Sequence, residues 1–149
     1  RNALLFNVLA YMSDRLLTVG NTVAALDELY LWLSNPVAIE YIRNCLKRVR
    51  KRDSALIMAS QNLEDFDQEG VREMTKPLFA IPPHQFLFNP GSIGRRFYMD
   101  MLQLDEAEFE LIRRARRGEC LFKCGAERYH LKVIAPDHKA VLFGTAGGK

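Results

Sequence analysis

The chain has 149 residues, of which 48% are hydrophobic and 26% charged, a composition typical of one globular domain with a real core. No apolar run reaches the length that spans a bilayer, and no signal peptide is visible. The formal net charge of +3 permits contact with nucleic acid but does not by itself indicate it.

The first half of the sequence alternates between predicted helices and short apolar strands. Apolar side chains recur at helical spacing over residues 3–18, and Gly20 with Asn21 ends that helix. The run at residues 22–26 is apolar without polar alternation, which is typical of a strand buried on both faces in a parallel sheet. The acids Asp27 and Glu28 follow it directly.

A second helix and strand repeat this order. Pro36 suits the first turn of a helix that runs toward the basic segment 47–52. The apolar residues 55–59 then predict another buried strand, which ends in Ser60 and Gln61. Residues 62–79 have helical character in places, and the segment 84–88 is a third strand candidate.

The last third of the chain predicts two helices. One covers residues 93–103. Asp105 is then a predicted helix N-cap, because Glu108 stands three residues later in a pattern close to a capping box. Gly118 is the predicted C-terminal stop of this second helix.

A hairpin follows, with strands at residues 119–124 and 128–135 that turn at Gly125 and Ala126. Residues 141–143 are a candidate for one last strand. Because helices alternate with buried strands, we expect an α/β fold with a mainly parallel sheet flanked by helices, and a C-terminal β-hairpin.

The acid pair Asp27 and Glu28 is the strongest local signal for chemistry. Ligands of open α/β sheets bind beyond the carboxyl ends of the strands, where this pair lies. Asp27 could hold the Mg²⁺ of a nucleotide through water, and Glu28 could polarise an attacking water. The alternative is a helix start whose acids interact favourably with the helix dipole, and for the pair taken alone this alternative is favoured.

Gln61 changes that balance. It follows the next buried strand, and its amide can donate to a phosphate oxygen and accept from water. The alternative is an exposed loop glutamine. A strand ending in two acids and a second strand ending in glutamine are jointly more specific than either pattern alone.

The basic segment 47–52 also has two interpretations. On a surface helix such a segment is usually a solvated face. Alternatively, Arg50 or a neighbour acts as an arginine finger on the nucleotide of an adjacent subunit, a role that suits the planar and permanently charged guanidinium.

These residues together resemble a known family. Residues 23–33, Val-Ala-Ala-Leu-Asp-Glu-Leu-Tyr-Leu-Trp-Leu, are similar to the Walker B segment of conjugative transfer (type IV secretion) ATPases. The resemblance continues through Arg50-Lys51, through residues 59–66 and through the Gly-Glu-apolar start of the hairpin at residues 118–122. It covers nearly the whole chain in the family's order and spacing.

The resemblance implies a RecA-like motor that uses ATP and Mg²⁺ to power pilus assembly and DNA or protein transfer. It implies that Asp27 is the Mg²⁺-site acid, Glu28 the catalytic base, Gln61 the sensor and Arg50 the arginine that acts in trans. Members are thought to work as hexamers at the cytoplasmic face of the membrane. The implied partners are further motor subunits, secretion-channel proteins and DNA.

Two features depart from the family pattern. Ser60 stands where the family usually has threonine, which keeps the hydroxyl. The phosphate loop G-x-x-x-x-G-K-[ST] is absent, and the glycine-rich tail 144–149 does not replace it, because position 143 is Phe and no Ser or Thr follows Lys149. Since the chain also begins at Arg1, we interpret residues 1–149 as the C-terminal part of one RecA-like domain that is inactive alone.

Other candidate sites have simpler explanations. Cys120, Cys124, His130 and His138 suggest a zinc site, but the C-x₃-C spacing is loose and core or edge thiols are favoured; with Cys45, an odd number of cysteines fits reduced thiols in a cytosolic protein. The arginines of residues 113–117 could contact phosphate, but cations are favourable at a helix end anyway.

Two other functions stay open at this stage. One is a DNA-pumping or coupling ATPase of the FtsK-like kind, for which salt-sensitive DNA binding would be the sign. The other is a protein-interaction module without enzymatic activity, in which the acids are structural.

Overall fold

The computed structural model describes residues 2–32, 35–61, 63, 66, 70–92 and 94–144. The chain divides into two compact units. The first consists of Arg1–Pro82 and Ile93–Leu104, and the second of Pro83–Ser92 and Asp105–Lys149.

The first unit begins with helix α1 (Asn2–Asp14), which a π-helical turn, Arg15–Val19, extends. The helix ends as predicted at Gly20, whose φ of +78° lies in the left-handed region. A side chain could not be accommodated there, because a Cβ would lie 2.8 Å from the carbonyl oxygen of Arg52. Gly20 therefore lets the chain turn closely against the segment that precedes the second strand.

Strands β1 (Val23–Leu26) and β2 (Ala55–Met58) pair in parallel. They are joined through helix α2 (Pro36–Arg48), in the right order for a crossover unit. Asn35 caps α2 by accepting a hydrogen bond from the Val37 N–H at 3.0 Å, and Pro36 occupies the first turn as predicted. The predicted strand–helix–strand order of this region is confirmed.

The core of the first unit is formed mainly by helices. Helices α3 (Val71–Ala80) and α4 (Arg95–Leu102) pack with each other, and α2 packs with both α1 and α3. The fully buried side chains of this core include those of Leu9, Leu16, Ile39, Ile42 and Phe66. Of residues 62–79, which were predicted to have helical character in places, α3 contains 71–79, whereas 62, 64, 65 and 67–69 lie outside the described residues.

The two parallel strands are not buried on both faces, which corrects the prediction for them. Leu26, Leu56 and Met58 pack on the core, whereas Val23 and Ile57 are 67% and 56% exposed. Side chains alternate between the faces of a strand, so within the described residues one face of the pair is covered and the other is open. The strands are apolar on both faces, but hydrophobicity alone does not show whether the layer that covers a face belongs to the same chain. The open face could therefore not be predicted.

The second unit is an antiparallel sheet in the order β3-β4-β5, with β3 at His84–Leu87, β4 at Glu119–Cys124 and β5 at Glu127–Lys132. The predicted hairpin and its turn at Gly125 and Ala126 are confirmed. The third predicted strand, β3, pairs with this hairpin, so among the described strands the parallel arrangement is confined to β1 and β2.

Helix α5 (Glu106–Arg113) packs on β4. Its predicted capping box is confirmed. Asp105 Oδ1 accepts from the Glu108 N–H at 2.8 Å, and Glu108 Oε2 accepts from the Asp105 N–H at 2.9 Å. The prediction that Gly118 ends this helix is wrong, because α5 ends at Arg113. Gly118 instead begins the hairpin at a φ of +82°, where a Cβ would lie 2.7 Å from the Val133 carbonyl oxygen.

The last predicted strand is also wrong. Residues 141–143 belong to helix α6 (Asp137–Phe143), none of whose residues is buried. A run of three apolar residues is too short to distinguish the repeat of a helix from that of a strand, so the sequence pattern did not decide between them.

Candidate functional site

The predicted site residues Asp27, Glu28 and Gln61 lie at one edge of the parallel strand pair. Asp27 and Glu28 follow β1, which ends at Leu26, and Gln61 follows β2, which ends at Met58. Parallel strands end at the same edge of a sheet, so the topology brings these side chains together although 33 residues separate Glu28 from Gln61. This edge is where open α/β sheets place their ligands.

Glu28 and Gln61 are in direct contact. The Gln61 Nε2 donates a hydrogen bond to Glu28 Oε1 at 2.9 Å. A bond of an amide donor to a carboxylate is charge-assisted, so it is stronger than one between neutral groups. The sequence predicted that both residues would serve one site, but it did not predict that they would bind each other.

The backbone fixes the two strand ends that carry these side chains. The Ala59 N–H donates to the Leu26 carbonyl at 2.9 Å, and the Leu29 N–H donates to the Ala59 carbonyl at 2.9 Å. These two hydrogen bonds extend the pairing beyond the ends of β1 and β2. They lie on either side of Asp27 and Glu28 in the sequence. The backbone at both strand ends is therefore held by hydrogen bonds that do not involve the side chains of Glu28 or Gln61.

Glu28 has an unusual backbone conformation. Its φ of +52° lies in the left-handed region, which non-glycine residues adopt at a cost of roughly 1 kcal/mol. Its N–H donates to Asp27 Oδ1 at 2.9 Å. This turn directs Glu28 toward Gln61 and leaves Asp27 exposed to solvent. No feature of the sequence indicates the left-handed turn, because Glu is not a residue that favours it.

Asp27 has the chemistry that a Mg²⁺ ion requires. Mg²⁺ takes oxygen ligands, keeps several waters, and in nucleotide sites is commonly held by one or two carboxylates plus phosphate oxygens. Asp27 is exposed, and one of its oxygens faces the Glu28 N–H. The other oxygen is not used by the hydrogen bonds of this turn. The residue therefore fits a water-mediated ligand.

Arg50 does not lie with these residues. It belongs to the short 3₁₀ helix Val49–Arg52, which precedes β2, and so it lies at the opposite edge of the strand pair from Glu28 and Gln61. Its side chain is exposed. The structure does not bring Arg50 into the site of its own chain, and its role in trans stays a prediction.

The alternative sites receive no support from the part of the chain that the structure describes. No group of three or more His, Cys, Asp or Glu side chains could hold a metal ion there. Cys120 is fully buried, and burial raises the pKa of its thiol, which keeps it protonated. Arg113, the last residue of α5, and Arg114, which follows it, both form ion pairs with Glu110 of that helix.

The fold is shared with a solved structure. The structure of VirB4 of Thermoanaerobacter pseudethanolicus superposes with a TM-score of 0.80 over 90% of this chain, at 33% sequence identity. At that similarity the chain has a RecA-like α/β fold. Among the described helices, none is both long and apolar enough to cross a membrane.

Sequence comparison indicates the family. The conjugal transfer protein TrbE of Rhizobium radiobacter is 29% identical over 148 residues, 95% of this chain. The type IV secretion system protein CagE of Helicobacter pylori is 24% identical over 128 residues, 77% of the chain. No model of a known protein family matches the sequence. The relatives and the shared fold support a conjugal transfer and type IV secretion ATPase family for the chain, which matches a fragment of it.

The match covers only part of each relative. The chain spans 18% of TrbE, 13% of CagE and 37% of the solved VirB4 chain.

Proposed function

We propose that the chain is the C-terminal part of a RecA-like motor domain whose longer protein hydrolyses ATP to power conjugative DNA transfer or type IV secretion. One observation carries the proposal most directly. Glu28 and Gln61, which follow different strands, meet at 2.9 Å at the ligand-binding edge of the parallel pair, beside the exposed acid Asp27. If Asp27 and Glu28 served only to stabilise the start of a helix, a glutamine at the end of the neighbouring strand would not be required.

Each of the three residues has a role that fits its surroundings. Asp27 holds Mg²⁺ through water, as its exposed carboxylate permits. The ion would supply charge neutralisation of the phosphates. Glu28 accepts a proton from the attacking water or orients it, because a carboxylate is the base available at this edge. Gln61 senses the terminal phosphate through its amide.

Arg50 would act on the nucleotide of a neighbouring subunit. Its position at the opposite edge of the strand pair supports this, because an exposed arginine there cannot serve the Glu28 site of its own chain through the sheet. A guanidinium can bind phosphate oxygens in a bidentate manner. The role requires a homo-oligomer, which we propose is a hexamer.

The remaining expectations follow from the relatives. TrbE is named a conjugal transfer protein and CagE a type IV secretion system protein. We therefore propose channel proteins as partners, DNA as a direct ligand, and a location at the inner face of the cell membrane. The phosphate-binding loop would lie in a segment before Arg1, so residues 1–149 alone would bind ATP weakly and turn over none. From residue 145 on, the glycine-rich tail lies outside the described residues.

ATP hydrolysis by the full-length protein that carries this chain tests the proposal. We expect turnover to depend on Mg²⁺. Asp27→Asn should lower turnover at limiting Mg²⁺, and a high Mg²⁺ concentration should restore it in part, since the substitution weakens only the binding of the ion. Glu40→Gln, which removes an exposed carboxylate from α2, serves as a control and is expected to leave turnover unchanged. Loss of turnover in the control, or full turnover without Mg²⁺, would contradict the assignment.

A further inference from the structure

The hydrogen bond between Gln61 and Glu28 involves the two groups that hydrolysis would need for other purposes. The Gln61 amide is the proposed sensor of the terminal phosphate, and the Glu28 carboxylate is the proposed base. In this structure the amide donates to the carboxylate at 2.9 Å. While Oε1 accepts from the amide, that lone pair of Glu28 is not available to a water, and the amide is not available to a phosphate. The contact therefore opposes hydrolysis rather than promoting it.

The contact can be broken without disturbing the fold. The strand ends are tied through the Ala59 N–H and carbonyl, so the backbone stays in place when the side chains move. Gln61 is exposed and Glu28 only half-buried, which leaves both side chains room to change rotamer. Exposed side chains exchange rotamers within nanoseconds, far faster than turnover.

A terminal phosphate would compete for the amide. The phosphate of ATP carries more negative charge than one carboxylate and presents several acceptor oxygens. The same charge repels the Glu28 carboxylate. Both effects favour a change of hydrogen-bond acceptor, in which the Gln61 amide leaves Glu28 and donates to the phosphate instead. Glu28 can then accept a hydrogen bond from water.

We propose that Gln61 is a positioning residue that holds the Glu28 carboxylate in the nucleotide-free site and releases it when the terminal phosphate of ATP takes the amide. The inference rests on the proposed ATPase function and adds its regulation. It couples recognition of the third phosphate to activation of the base, so that the base becomes available only when a hydrolysable nucleotide is bound. ADP, which lacks the terminal phosphate, would leave the hydrogen bond intact.

The test is a double-mutant cycle on nucleotide affinity in the full-length protein. Gln61→Leu removes the amide and Glu28→Ala removes the carboxylate. The dissociation constants of the wild type, both single variants and the double variant are measured for Mg²⁺ with adenylyl imidodiphosphate, which keeps the terminal phosphate but is not hydrolysed. Because Glu28 has a φ of +52°, Glu28→Gly serves as a second variant that adopts this backbone without strain.

We expect the two substitutions to be coupled. Removing Glu28 relieves repulsion in both backgrounds, but only with Gln61 present does it also remove the bond that the nucleotide must break. Affinity should therefore rise about threefold to tenfold more when Gln61 is intact than in the Gln61→Leu background, the range that one hydrogen bond supplies. With ADP the coupling should vanish. Ser60→Ala, which alters the neighbouring exposed side chain, should show no coupling with Glu28→Ala for either nucleotide.

The outcomes separate this inference from the proposed function. Additive effects on a protein that binds the analogue overturn the restraint by Gln61 and leave the ATPase proposal standing. Coupling of the opposite sign, or equal coupling with ADP, also overturns it, because the amide would then not pass from Glu28 to the terminal phosphate. If the wild-type protein binds neither nucleotide, the proposed function fails and the inference fails with it.

Discussion

Glu119 shows how one side chain at the start of a strand makes stability depend on pH. Its Oε2 accepts a hydrogen bond from the Arg116 N–H at 2.9 Å. This backbone bond is the main reason that the pKa of Glu119 lies below its ordinary value of 4.5, and nearby cations lower it further. A carboxylate with a lowered pKa stabilises the folded state while it is ionised.

The direction of this effect can be predicted. Above pH 4.5 the carboxylate is ionised in both states and its contribution is complete; as pH falls through the lowered pKa of the folded state, the contribution disappears. We expect Glu119→Gln to lower the melting temperature at about pH 6, and the difference between the two proteins to shrink steadily as the pH falls below 4.5. Thermal melts of the two proteins at several pH values measure this. An equal difference at all pH values would show that the ionised carboxylate is not responsible.

Sequence alone made Asp27, Glu28 and Gln61 candidates for one site, but it did not indicate the contact between Glu28 and Gln61. Asp27, Glu28 and Gln61 were predictable because polar residues at the ends of apolar runs are conspicuous, and strand parallelism places them together. The Glu28–Gln61 bond depends on the left-handed turn at Glu28, which results from the tertiary ladder through Ala59 and has no local signature. The place of Arg50 follows from topology, whereas a role in trans depends on a second subunit.

At the scale of elements, the capping box at the start of α5 is the clearest local determinant. Asp105 and Glu108 each satisfy one backbone N–H that the helix itself leaves free. We expect Asp105→Ala to lower the free energy of unfolding of the second unit by about 1 kcal/mol. Asp105→Asn is the matched control, because asparagine caps equally well. Urea unfolding followed by hydrogen exchange in α5 measures both; an equal loss in the two variants would show that capping is not the cause.

The elements differ in how well the sequence predicts them. Helices α1, α2 and α5 have long periodic patterns or clear caps, and they were predicted. Residues 141–143 at the end of helix α6 were predicted as a strand, because a short apolar run carries no period, and none of the helix's residues is buried. The pairing of β3 with the hairpin could not be predicted either, since a four-residue strand does not show which neighbour it will join.

At the scale of the whole molecule, the open face of β1 and β2 is the main departure from an ordinary α/β domain. Parallel strands are nearly always covered on both faces, yet Val23 and Ile57 are 67% and 56% exposed. The chain spans 37% of the solved VirB4 chain, which shares its fold. We infer that in the longer protein this face is covered.

A stability comparison tests this inference. In residues 1–149 alone, Ile57→Ala should cost less than about 0.5 kcal/mol, as is usual for exposed positions. In the full-length protein the same change should cost about 2–4 kcal/mol, because the side chain would be buried. Ile39→Ala is the control. Because Ile39 is already only 1% exposed, this substitution should lower the free energy of unfolding by the larger amount both in residues 1–149 and in the full-length protein. Equal small costs for Ile57→Ala would show that the face stays open.

The proposed role of the acids at the end of β1 in ATP hydrolysis is tested most directly by measuring nucleotide binding and turnover side by side. Full-length wild-type protein and its Glu28→Gln variant would be compared for ATP affinity and for the rate of phosphate release. We predict that Glu28→Gln binds ATP at least as tightly as the wild type while its turnover falls by about 10²-fold or more, because the base is lost and the phosphate site is kept. Turnover within a few fold of wild type would contradict the claim, since Glu28 would then not be the base.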